Sequence, residues 1–142
     1  PVGRLDIDTT GLLLITDDGR LGHKLLSPKN DIKKVYLAEV DEKLSEEDVE
    51  KFSKGFLLQP ENIYTKDAKL EILQDKLGKV TISEGKYHQV KRMFEKCGKE
   101  VLRLKRVSMG SLILDNGLEE GEYRPLTDDE KEKLFSLIGR GE

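Results

Sequence analysis

The residues best suited to chemistry stand at the front of the chain. Gly3-Arg4-Leu5-Asp6-Ile7-Asp8-Thr9-Thr10-Gly11 leads directly into the apolar run from Leu12 to Thr16. A guanidinium, two carboxylates and paired hydroxyls ahead of a core-bound segment make a polar loop that its anchor can hold rigid. A carboxylate so held can act as a nucleophile or as a base. The same composition also suits a well-capped surface loop. A second concentration lies between Lys86 and Arg106, where eight basic residues (Lys86, Lys91, Arg92, Lys96, Lys99, Arg103, Lys105, Arg106) face two acids, Glu95 and Glu100. The acids gather elsewhere, in Asp41 to Glu50 and Glu119 to Glu132, so the formal charge of −3 conceals a polarised chain. A polarised distribution suits a polyanionic partner better than the net sum suggests. It equally suits a solvated basic helix and strand.

Composition narrows the chemistry further. The 142 residues fit one domain, and 36% apolar with 37% charged content describes a globular chain with a large solvated surface. No apolar run approaches the roughly 20 residues of a membrane helix. The single Cys97 excludes an internal disulfide and a Cys-rich metal site, and His23 and His88 stand too far apart in sequence to suggest a zinc site. A reducing, cytoplasmic setting is the expectation.

The elements that must position these residues follow from periodicity and capping. Leu12 to Thr16 reads as a strand closed by Asp17-Asp18-Gly19, followed by a short helix from Arg20 to Leu26 that stops at Ser27-Pro28. Lys33 to Val40 alternates as a strand. Ser45-Glu46-Glu47-Asp48 gives an N-cap and an acidic first turn to a helix ending at Gly55. Ala68 to Leu73 and Lys79 to Ser83 form a strand pair around Lys76-Leu77-Gly78. Tyr87, Val90, Phe94 and Cys97 recur at helical spacing up to Gly98, with Met93, Phe94 and Cys97 expected in the core rather than in contact with a ligand. Val101 to Val107 alternates as another strand, and Thr127-Asp128-Asp129-Glu130 opens a final helix through Ile138. Adjacent strands with interspersed helices predict an α+β domain, with a largely antiparallel mixed sheet flanked by helices, over residues 1–138. Residues 139–142 read as a tail.

The stretch GRLDIDTTGLLLITDDG resembles the Gly-Arg-Leu-Asp signature of the RNA pseudouridine synthases. Lys34-Val35-Tyr36 resembles that family's Lys-x-Tyr strand, and EGKYHQVKRMF (Glu84 to Phe94) resembles its His-Gln-x-Lys/Arg helix. GEYRPLT, Gly121 to Thr127, extends the match. The order and spacing are those of the family over most of the chain. Within it, the chain most resembles the branch acting on 16S RNA of the small ribosomal subunit. Large-subunit branches tend to carry Asn-Arg-Gln or similar where Tyr87-His88-Gln89 stands here.

The resemblance implies a pseudouridine synthase fold and the conversion of a uridine to pseudouridine without cofactor or metal. It implies Asp6 as the catalytic carboxylate, as nucleophile or as base at the sugar. Burial favours a carboxylate's protonated form, and Lys91 aligns with the basic residue that would oppose this. Tyr36 offers a face for an extruded uracil and a relay for the C5 proton. Reaching a stacked uridine costs roughly a few kcal/mol, and Arg4 would fill the vacated space and hold phosphate. Lys34, Lys86, His88, Gln89, Arg92, Lys96 and Lys105 are the further expected RNA contacts, while Asp8 and Thr10 would hold the Asp6 loop. The expected partner is small-subunit ribosomal RNA, bound by a monomer with no membrane association. The rivals are a large-subunit synthase and an RNA-binding module without turnover. Family members carry a strand with a Lys-Pro-like motif ahead of the signature, and the 16S branch usually an S4-like domain before that. Neither stands in this sequence.

Overall fold

Lys34-Val35-Tyr36-Leu37-Ala38-Glu39-Val40 alternates strictly, and it forms β2 (Lys34–Val40) at the centre of the sheet. The structure is a computed structural model that describes residues 5, 9–16, 19–26, 32–65, 68–84, 88–115 and 117–137. β2 is antiparallel to β6 (Leu77–Ile82) on one side and to β7 (Val101–Met109) on the other. β5 (Lys69–Gln74) closes the β6 side as a hairpin. On the β7 side lie β1 (Thr10–Gly11), parallel to β7, and β8 (Leu112–Ile113), antiparallel to it. The result is the expected α+β architecture with one parallel pair among the described strands.

Alternation sends Lys34, Tyr36, Ala38 and Val40 to one buried face, with Leu70, Val80, Ile82, Leu104 and Arg106 from the neighbouring strands. Helices α2 (Glu46–Lys54) and α3 (Gln89–Lys96) cover that face through Phe52, Val90, Met93 and Phe94. The Phe52 and Phe94 rings meet at 4.8 Å, a tilted aromatic contact. A second cluster packs Leu25 of α1 (Gly19–Leu26) and Leu134 of α4 (Asp128–Leu137) against Leu14, Ile32, Met109 and Leu112. Thr127 and Glu130 cap α4 reciprocally, each side chain bonding the other's backbone N–H.

Three expectations need correction. Leu12 to Thr16 is not a continuous strand. Only Thr10 and Gly11 pair in register with β7, and Ile15 is largely exposed. The β5–β6 turn sits at Asp75-Lys76, because Leu77 and Gly78 already pair with Gln74 and Ile72. A small hairpin of β3 (Leu57–Leu58) and β4 (Ile63–Tyr64) was not anticipated, since two residues carry no period. The expected helix end at Ile138 and the tail 139–142 lie outside the described residues.

The core also claims part of the basic segment. Lys99 pairs with Asp48 at 2.9 Å, and both side chains are largely buried. Burial pushes the Asp48 carboxyl up, but hydrogen bonds from Lys99 and the Ser45 backbone outweigh it and hold it below 3.8. Asp48 therefore stabilises the fold above its ordinary pKa, and that contribution fades as pH falls through the lowered value. Lys99→Met should destabilise the fold by about 3 kcal/mol at neutral pH, because it strands a buried carboxylate. The gap from wild type should shrink in urea titrations below pH 3.8. An unchanged gap would mean that the pair is not the source of the loss.

Candidate functional site

Tyr36 sits mid-strand in β2 with its ring in the main core cluster and only 9% of its surface exposed. Its register partners are Val80 on β6 and Arg106 on β7. Lys34, two residues earlier on the same face, is 5% exposed and pairs across to Ile82. The chain then leaves β6 through Ser83 and Glu84 and re-enters helix at α3. Gln89, the first residue of α3, is buried and donates from Nε2 to Glu84 Oε1 at 2.9 Å. Glu84 thus links the end of β6 to the start of the helix that carries His88, Gln89 and Lys91. His88 stands at the N-cap position of α3 in the left-handed conformation (φ 47), which is uncommon for a non-glycine residue. Lys91 is half-buried on α3.

The cations of this site are unusually dry. Burial pushes the Lys34 ammonium below its usual range, and the neighbouring Arg106 guanidinium pushes it further. The Glu84 carboxylate opposes both. Arg106 is 1% exposed and has as its side-chain partner the Leu12 carbonyl, 2.8 Å from Nε. Cys97 is chemically quiet, because burial first, and then the nearby Asp48 charge, push its thiol up to about 11. Among the described residues no group of three or more His, Cys, Asp or Glu side chains stands together as a metal site would require.

The structure separates residues that sequence order placed together. Alternation along β7 turns Arg103 and Lys105 to the open face of the sheet, opposite Tyr36 and Arg106. There Arg103 lies 4.0 Å from Glu39, and Lys69 pairs with Glu71. Lys96 is exposed at the last turn of α3, whose apolar side packs on the Tyr36 face. Arg92 makes a two-pronged pair with Glu61 at 2.8 and 2.7 Å and reaches the Gln59 carbonyl. Lys34 and Gln89 are buried rather than presented as surface contacts. The span from Lys86 to Arg106 is therefore not one basic face, because a strand and a helix expose their side chains with different periods. Arg4, Asp6, Asp8, Lys86 and Tyr87 lie outside the described residues. Thr10 is in β1, paired with Lys105. Sequence reasoning counted Arg106 as part of a basic surface, whereas it is buried, and did not single out Glu84. The parity of Arg106 with Leu104 was the signal that an inward-facing cation stood in β7.

The family profile described as RNA pseudouridylate synthase matches residues 1–96, and the chain belongs to that family. It is 52% identical over 132 residues to the Haemophilus influenzae protein named ribosomal small subunit pseudouridine synthase A, covering 93% of this chain and 57% of that one. The Escherichia coli protein of the same name is 48% identical over 128 residues, 90% of this chain and 55% of the relative. A crystal structure titled pseudouridylate synthase superposes with a TM-score of 0.90 at 52% identity, over 93% of this chain and 57% of that one. The chain thus spans a little over half the length of these relatives.

The dry Lys34 ammonium carries a prediction. Its proton leaves the native state before it leaves the unfolded chain, so wild-type stability rises with pH between the lowered value and 10.5. Lys34→Met should therefore match or exceed wild type in urea denaturation at pH 7, since it removes the desolvation of the ammonium and its repulsion from Arg106, which together outweigh the attraction of Glu84. That advantage should narrow toward pH 10. A methionine variant weaker than wild type at pH 7 would show that Lys34 is a net stabilising cation.

Proposed function

We propose that the protein isomerises a uridine of 16S ribosomal RNA to pseudouridine, as a cytoplasmic monomer that needs no cofactor. Residues 1–138 serve as the catalytic domain, with 139–142 as a tail. The observation that carries this reading is a convergence on one sheet face. Tyr36 and Lys34 lie on β2, the helix with Lys91 packs over the same face, and β1, which is part of the Gly3 to Leu14 stretch, runs along β7 beside Arg106. Family membership supports the reaction, and relatives named for the small subunit favour 16S over large-subunit RNA.

In this reading the target uridine leaves its stack and enters beside Tyr36. Asp6 acts at the sugar, as nucleophile or as base, while the N1 bond breaks and the base turns. The C5 carbon then joins the same sugar carbon, and the C5 proton departs, with Tyr36 as its relay. Lys91 supplies the fixed positive charge that keeps the Asp6 carboxylate ionised and oriented. Arg4 holds phosphate and the space that the base vacated. Lys86, His88 and Lys96 contact the RNA backbone around the helix that carries Lys91.

Release of tritium from RNA bearing 5-tritiated uridine tests this directly, because isomerisation exchanges that position. In the full-length protein, Asp6→Asn should abolish release while RNA affinity stays nearly unchanged. Lys91→Met should slow single turnovers steeply, and Lys91→Arg should recover much of the rate by keeping the charge. An Asp6→Asn protein that retains about a tenth of wild-type turnover would remove Asp6 from the chemistry. Wild-type protein that binds ribosomal RNA without tritium release would support the binding module instead.

A further inference from the structure

β1 contributes only two residues to the sheet, a short tether for a segment that must be placed accurately. What reinforces it is one residue of β7. The Leu12 N–H donates to the Arg106 carbonyl at 2.7 Å, and Arg106 Nε donates back to the Leu12 carbonyl at 2.8 Å. Leu12 is thereby gripped on both its backbone polar groups, by the peptide and by the side chain of Arg106. Gly11, the register partner of Arg106, has φ 108, and a Cβ there would lie 2.1 Å from the Arg106 carbonyl oxygen. Only a residue without a side chain lets the two backbones meet this closely. On the other edge of β7, Arg106 is the register partner of Tyr36.

As a mere structural peg, Arg106 is a costly choice. Its guanidinium is 1% exposed, and Nη2 has no hydrogen-bond partner among the described residues. It also lies near a second buried cation, Lys34. An apolar side chain would fill an interior strand position without that desolvation cost. The retained cation joins two things that an apolar residue could not, the backbone of the signature segment and the strand position next to Tyr36.

We propose that Arg106 is a positioning residue for the reaction: by clasping Leu12, on a strand position that is the register partner of Tyr36, it anchors the segment that leads back to Asp6, six residues earlier in the sequence. This rests on the reading of Asp6 as the catalytic carboxylate. Arg106 need not touch RNA, so its loss acts on the rate of the chemical step and not on binding.

The test uses Arg106→Met, Arg106→Lys and Gly11→Ala in the full-length protein, beside Asp6→Asn, with single-turnover tritium release at saturating RNA and a separate RNA Kd. Misplacing a reacting group by about 1 Å costs on the order of 100-fold, so Arg106→Met should lose about that much rate, with its Kd within about threefold of wild type. Arg106→Lys keeps a donor and the charge, and should recover part of the rate. Gly11→Ala pushes the same contact apart from the other side without uncovering a charge, and should show the same split. It carries the test by the same criteria if Arg106→Met fails to fold. A folded variant with wild-type rate overturns the proposal, as does a loss that lies entirely in Kd, which would make Arg106 an RNA contact. If Asp6→Asn is inactive while Arg106→Met turns over normally, only the role of Arg106 falls. If Asp6→Asn stays active, the reading beneath it falls instead.

Discussion

The double pairing of β2 governs everything else in this structure. A strand with antiparallel neighbours on both sides has no freedom to rotate, and a shift of one residue would invert every side chain. With Ala38 and Val40 fully buried under α2 and α3, the even-numbered residues of β2 must all point inward. Lys34 and Tyr36 are carried along by that constraint. A cation and a phenol are thereby held at the covered face of a rigid strand, where their rotamers are restricted by packing and their surroundings are poor in water. Rigid placement in low dielectric is what makes a polar group useful to catalysis.

The same constraint explains why buried charge accumulates around β2. Arg106 lies beside Tyr36 because β7 is locked to β2 by register, and Glu84 stands two residues beyond Ile82, the β6 residue paired with Lys34. Two cations and a carboxylate are brought near one another by strand order alone. The arrangement is a poor way to gain stability, since each ion loses its hydration. That cost is concentrated at the face of the sheet that adjoins β1, whose Thr10 and Gly11 belong to the Gly3 to Leu14 stretch.

The positive charge that the basic segment presents on any one surface is smaller than the sequence count suggests. Lys99 is engaged with Asp48, Arg92 with Glu61 and with the Gln59 carbonyl, and Arg103 and Lys105 face away from Tyr36. A polyanion meets a surface, not a stretch of sequence. Lys96, exposed on the helix that packs over the Tyr36 face, is therefore better placed at that face than Arg103 and Lys105 of β7.

The sequence by itself determined most of the fold. β2, α2, α3, β7 and α4 stood where alternation, helical spacing and capping residues put them, because each is long enough to show its period. The motif residues Tyr36 and Lys91 could be singled out by resemblance, and Met93 and Phe94 were legible as core. The two-residue strands β1, β3, β4 and β8 were not, since pairing at that length depends on what the rest of the chain presents. Nor could sequence reveal that Arg106 grips Leu12 across 94 positions, or that Lys34 and Gln89 are buried. Local residue patterns set which way each element turns its side chains. Only the assembled sheet decides which of those side chains meet, because register and packing bring together groups that have no relation along the chain.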